Sequence, residues 1–217
     1  MSSADLFGGL LAPPTETPVA PGAVLLHGFA LADAPAILAA IGAVTTQAPF
    51  RQMTTPGGFR MSVAMSNCGP LGWITDRRGY RYAALDPDSG QPWPAIPPVL
   101  LRLALAAAAR AGFEHFIPDA CLINRYAPGS KMALHQDRDE HDFTQPIVSV
   151  SLGLPATFLF GGLERSDKAA RVPLVHGDVF VWGGPARLRF HGIAPLKDGS
   201  HPATGACRIN LTLRKAA

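Results

Sequence analysis

Cysteine is scarce in this 217-residue chain: Cys68, Cys121 and Cys207 are all there are, and no Cys-x-x-Cys pair occurs. An odd count at wide spacing excludes a disulfide framework and a zinc ribbon, and it fits a reducing, cytoplasmic setting. Long apolar runs are also missing. None reaches the ~20 residues needed to span a bilayer, so no membrane role is expected. Residues 1–21 hold no basic leader followed by an apolar core, and no signal peptide is read there. Charge is sparse, at 16% against 47% hydrophobic residues, a balance that belongs to a chain with a buried core. No internal repeat appears, and no alternation of strands with helices of the kind that builds parallel sheets.

Turn formers are plentiful instead, with 21 prolines and 22 glycines, which suits short strands joined by tight turns. The proline-rich residues 1–21 read as a loosely ordered arm, and residues 22–217 as one domain. A first helix is expected after Asp33, a cap, with Pro35 in its first turn and Ile37, Leu38, Ile41 and Val44 on one face. A second is expected over residues 98–111, with Leu100, Leu103, Ala107 and Ala111 on one stripe and Gly112 as a stop. Residues 50–82 read as hairpins around the Pro56-Gly57-Gly58 turn, with a short strand at 61–65. From residue 120 onward, β-rich runs recur at 121–126, 147–152, 157–160, 172–175, 179–182, 188–191 and 206–213. The expected fold is mainly β with flanking helices (α+β). Its core is a jelly roll, a cupin-like double-stranded β-helix over residues 120–214, and residues 50–82 are an N-terminal elaboration.

Two histidines and a carboxylate can hold one face of an iron(II) ion and leave the opposite positions open. His135 and Asp137 lie two apart, so on a strand they point the same way. His191 follows 56 residues later, far enough for several crossings of a jelly roll before the chain returns. His176-Gly177-Asp178 repeats the His-x-Asp spacing, but its glycine sits between apolar runs and marks a tight hairpin. His141-Asp142 is adjacent, and its side chains would diverge. His27, His115, His176 and His201 are read as surface or hydrogen-bonded histidines.

The last strand places Arg208, Asn210, Thr212 and Arg214 on one face and Ile209, Leu211 and Leu213 on the other. A polar face in water is the commoner outcome of such a pattern. If it lines the barrel beside Asn124 and Tyr126, it makes a pocket for a dicarboxylate, with Arg214 as the bidentate clamp on the far carboxylate. A second charged feature lies upstream. Arg51, Arg60, Arg77, Arg78 and Arg81 face the single acid Asp76, a local net charge of +4 against +3 for the whole chain, which suits phosphates.

Asn124-Arg125-Tyr126, His135-Gln136-Asp137-Arg138-Asp139, His191 and Arg208-x-Asn210-x-x-x-Arg214 together resemble the AlkB family of iron(II)/2-oxoglutarate dioxygenases. The resemblance covers most of the chain, including residues 50–73, 121–129, 148–162 and 176–184. It implies a catalytic Fe(II) on His135, Asp137 and His191, and 2-oxoglutarate on Asn124, Tyr126, Arg208, Asn210 and Arg214. Trp73, Tyr80, Asp139, Arg165, Thr55 and Met65 would hold the damaged base and its strand. Residues 50–82 become a nucleotide-recognition lid. The implied activity is oxidative demethylation of 1-methyladenine and 3-methylcytosine in single- or double-stranded DNA, and in RNA, by a cytoplasmic monomer that consumes 2-oxoglutarate and O2. Ala133 and Phe59 depart from the family pattern, where a small polar residue and a tyrosine are expected, and they bear on substrate preference. Two rival readings remain open on the residues alone: a hydroxylase of the same type acting on a small metabolite or a protein side chain, and a jelly-roll binding module.

Overall fold

The computed structural model describes residues 15–217. Its strands are β1 (Glu16–Ala20), β2 (Ala23–Leu26), β3 (Ala64–Cys68), β4 (Gly72–Asp76), β5 (Gly79–Ala83), β6 (Ala120–Tyr126), β7 (Met132–His135), β8 (Ile147–Gly153), β9 (Ala156–Phe160), β10 (Ala170–Leu174), β11 (Val179–Trp182), β12 (His191–Ile193) and β13 (Arg208–Arg214). The helices are α1 (Ala34–Gln47) and α2 (Pro98–Arg110). A seven-stranded sheet runs β1-β2-β11-β8-β13-β6-β3, a four-stranded sheet runs β10-β9-β12-β7, and β4 and β5 form a separate hairpin.

The alternation of side chains along each strand divides the large sheet into two buried faces. Ile123, Val148, Val150, Val179, Val181, Leu211 and Leu213 point outward and pack under Ile37, Ile41 and Val44 of α1 and Leu100, Leu103 and Ala107 of α2. On the inner face, Leu122, Tyr126, Phe180 and Trp182 meet Phe158, Phe160 and Ile193 from the small sheet. The helices thus seal one side of the sheet and leave the other to the cavity between the sheets. The first helix starts directly after Asp33, as expected, and the second ends one residue short of its expected span. Asp33 precedes α1 but makes no capping hydrogen bond. Gly112, at φ +86°, supplies the left-handed backbone just past α2.

Four expectations change. The short strand expected at 61–65 lies three residues later, as β3. Residues 1–14 of the expected arm lie outside the described residues, and Glu16–Ala20 are not loose: they form β1, paired antiparallel with β2. The strand expected at 188–191 is displaced. Gly183-Gly184-Pro185 starts a 3₁₀ turn at Gly184–Ala186, and pairing resumes at His191 as β12. A strand absent from the sequence reading, β7, carries His135 opposite His191 on β12.

Candidate active site

His135 ends β7 and His191 begins β12, and the two are direct register partners. Asp137 lies two residues beyond the strand and still faces them. Its Oδ1 is 3.6 Å from His135 Nε2 and its Oδ2 3.7 Å from His191 Nε2. Neighbouring ligands on an octahedral ion at ~2.1 Å would stand roughly 3 Å apart, so a small contraction closes the set. Both imidazoles are aimed by their other nitrogen. His135 Nδ1 donates to the Ala133 carbonyl at 2.9 Å and His191 Nδ1 to the Arg189 carbonyl at 3.0 Å. A carbonyl can only accept, so each Nε2 turns a lone pair toward the centre. The donor set suits Fe(II).

Electrostatics prepare the site for a cation. Burial works to raise the Asp137 pKa, but Arg214, then His191 and His135, hold the carboxyl well below the usual carboxylate range. Burial depresses His135, yet Asp137 outweighs it and the pKa ends raised. His191 is lowered, by burial first and by His135 second. One imidazole therefore binds a proton more readily than the other.

The polar face of β13 lies inside the barrel. Arg208, Asn210, Thr212 and Arg214 are all buried and line one cavity with Asn124, Tyr126 and the three ligands. Asn210 stands opposite Asn124 on β6 and Ser151 on β8. The two arginines have different fates. Arg214 is committed to Asp137, with Nη2 at 2.6 Å and Nε at 2.8 Å from Oδ2. Burial opposes its charge, but Asp137 outweighs it and the pKa ends raised. Asp137 thus already occupies the fork of Arg214, the residue expected to clamp the far carboxylate. Arg208 is only 1% exposed. Its Nη2 donates to Ser151 Oγ at 3.0 Å and its plane lies over Tyr126. Its Nε and Nη1 have no hydrogen-bond partner among the described residues, and burial lowers its pKa. A buried guanidinium with two idle donors is costly unless an anion completes it. A dicarboxylate reaching from the metal to Arg208 meets that need, so the residues fit the cosubstrate.

A family model described as the 2OG-Fe(II) oxygenase superfamily matches residues 22–214. Alpha-ketoglutarate-dependent dioxygenase AlkB of Salmonella typhimurium is 60% identical over 204 residues, 94% of each chain. The protein of the same name from Escherichia coli K12 is 58% identical over 212 residues, 98% of this chain and 97% of that one. This chain belongs to the AlkB family of 2OG-Fe(II) oxygenases. The solved structure of OsALKBH1 matches it with a TM-score of 0.82 at 30% identity, over 93% of this chain and 100% of that one. The enzyme is thus a dioxygenase that uses Fe(II), 2-oxoglutarate and O2.

The residues read as base-binding are spread more widely. Trp73 and Tyr80 stack across the β4–β5 hairpin, with ring centroids 5.6 Å apart and planes at 17°. The Trp73 indole N–H donates to Asp139 Oδ2 at 2.9 Å, so Asp139, itself exposed, fixes the indole. Thr55 Oγ1 accepts from the Phe59 N–H inside the 54–60 turn, where Phe59 is 76% exposed. Arg165 is exposed, over the Phe190 ring. Met65 is buried in the inner core beside its register partner Asn124, on the same face of the sheet. The basic window is partly self-neutralised: Arg51 pairs with Asp86 and Asp88, and Arg78 and Arg81 both pair with Asp76. Arg60 and Arg77 remain exposed.

Sequence reasoning missed Tyr82, Glu140, Arg187, Ser149 and Ser151. The serines left a signal, since they alternate with valine and leucine in β8 on the cavity side. Glu140 and Arg187 left none, because their partners are far apart in the chain: Arg187 Nη1 donates to the Asp137 carbonyl at 2.8 Å, and its Nη2 lies 3.3 Å from Glu140 Oε2.

Proposed function

We propose that this enzyme reverses N-alkylation of nucleobases, returning 1-methyladenine and 3-methylcytosine in DNA, single- or double-stranded, and in RNA to the parent bases. The Trp73–Tyr80 stack, pinned by Asp139 two residues from a metal ligand, carries the reading. Methylation at those ring nitrogens blocks pairing and makes the base cationic. A mispaired base is cheaper to flip from the stack, and an aromatic face beside a carboxylate favours a cation. His135, half-exposed at the cavity mouth, offers the second wall. Arg60, Arg77 and Arg165 stand free to meet phosphates without reading sequence.

When bound, the iron with 2-oxoglutarate and O2 supplies the oxidation that hydroxylates the N-methyl carbon, after which the base is freed and formaldehyde leaves. The chain supplies position. His135, Asp137 and His191 would hold the metal at the wall of the cavity they line. Arg208 and Asn124 orient the cosubstrate, and the hairpin holds the base over the metal. No helix among the described residues is long and apolar enough to cross a membrane. Three free thiols support a cytoplasmic setting.

The test is direct. Single-stranded oligonucleotides carrying 1-methyladenine, 3-methylcytosine or no lesion are incubated with the enzyme, Fe(II) and 2-oxoglutarate, and base reversal and formaldehyde are measured. Repair of both lesions is expected, with the Michaelis constant raised in Trp73→Ala. Succinate formation without any base reversal would overturn the substrate assignment.

A further inference from the structure

Trp73 on β4 and Tyr82 on β5 are register partners. Each donates to one of two consecutive carboxylates: Trp73 Nε1 to Asp139 Oδ2 at 2.9 Å, and the Tyr82 hydroxyl to Glu140 Oε1 at 2.6 Å. The hairpin therefore grips the segment after Asp137 from both strands. Asp139 is exposed at the rim, but the Glu140 side chain is only 2% exposed. Glu140 Oε1 also lies 3.5 Å from Arg214 Nε, and Arg214 holds Asp137. Arg187 closes the far side, reaching both Glu140 Oε2 and the Asp137 carbonyl. Two carboxylates and two guanidiniums balance in charge, so the group is stable only while all four are present.

We infer that Tyr82, through Glu140 and Arg214, is a positioning residue that couples a base held on the hairpin to the iron ligand Asp137. The inference rests on the base-repair reading above. Tyr82 is not needed to assemble the metal site, since Arg214 and Arg187 contact Asp137 directly. Its hydroxyl is the only hydrogen bond recorded among the described residues between β5 and this network other than its own 3.5 Å contact with Arg214 Nη1. A base pressing on Trp73 moves β4 and β5 together, because they are one hairpin. The motion reaches Glu140 from Tyr82 and then Asp137 from Arg214. Two sites joined by such a contact bind with a mutual coupling factor, the same in both directions.

The experiment measures that factor. Mn(II) replaces iron so that no turnover occurs, and its dissociation constant is determined with 2-oxoglutarate present, with and without a 1-methyladenine oligonucleotide. In the wild type the oligonucleotide should tighten Mn(II) on the order of fivefold or more. In Tyr82→Phe, which keeps the ring and removes the hydroxyl, the factor should fall to within about twofold of unity, while Mn(II) affinity without oligonucleotide stays at the wild-type value. With Fe(II), the same variant should form more succinate per base repaired. Arg81→Gln loosens the same hairpin through Asp76 but lies off the relay, and it should keep the wild-type factor. A wild-type factor in Tyr82→Phe, or an equal loss in Arg81→Gln, overturns the relay. Failure of the wild type to repair the lesion instead removes the base-repair reading on which the relay depends.

Discussion

Arg208→Met tests the cosubstrate site with two effects of opposite sign. Without 2-oxoglutarate, the wild type keeps two guanidinium donors buried and idle, at about 1–3 kcal/mol each. Methionine fills most of the volume and removes that cost. It also gives up the stack on Tyr126 and the bond to Ser151, together worth about 1.5–3 kcal/mol. The balance favours the variant by about 2 kcal/mol, a rise in Tm of roughly 4–8 °C for a domain of this size. With 2-oxoglutarate the gap closes, because only the wild type gains the full ligand shift. At a hundred times its dissociation constant the ligand adds about 2.7 kcal/mol to the wild type, an upward shift of roughly 5–11 °C. Truncating one partner of a buried charge pair costs about 2–5 kcal/mol of binding, which leaves the variant a shift below about 4 °C at the same concentration. Thermal melts with Mn(II), with and without 2-oxoglutarate, read both effects. A variant that melts lower than the wild type in the absence of ligand, yet keeps the full shift with it, would refute the reasoning, for the cosubstrate would then be held elsewhere.

Arg214→Ala should leave Asp137 buried and unpaired, lowering stability by about 3–5 kcal/mol and weakening Mn(II) binding. A raised Michaelis constant for 2-oxoglutarate with unchanged metal affinity would instead make Arg214 the distal clamp. Alanine at His135, Asp137 or His191 should abolish succinate formation while the fold persists by circular dichroism, and succinate from any one of them removes that residue from the metal set. His176 accepts the Gly153 N–H through Nδ1, and burial, then His201, lowers its pKa. The unfolded chain therefore binds this proton more readily. The contribution is complete above about pH 6.5 and fades as pH falls through the lower folded value. Melts of His176→Asn between pH 7 and 5 should show a flatter decline than the wild type, and parallel curves would contradict this.

The sequence carried the jelly roll because apolar alternation and turn residues act locally, and the register of β6 and β13 follows from which face is buried. The metal set was legible because a strand ending at His135 leaves Asp137 on the same side. The assignment of the two arginines was not. Both sit on the same face of β13 with the same side chain, and only the approach of Asp137 from another sheet separates them. The hidden partners of Asp137 were equally out of reach: Glu140 looks like one more acid in a charged run, and Arg187 like a surface base in a glycine-rich turn. The arginine-rich window misled in the other direction. Asp86 and Asp88 lie beyond its edge in the sequence, so their neutralisation of Arg51 appears only in three dimensions.

The strand β13 separates two chemistries by parity alone: leucine and isoleucine to the helices, guanidinium and amide to the cavity. A slip of one residue in its pairing would exchange them, driving aliphatic side chains into the cosubstrate's place and two cations into the greasy layer under α1 and α2. No intermediate degree of misalignment leaves a half-working enzyme. Retention of 2-oxoglutarate is thus also a count of correctly paired chains, and a preparation's binding stoichiometry can serve as its measure of folding quality.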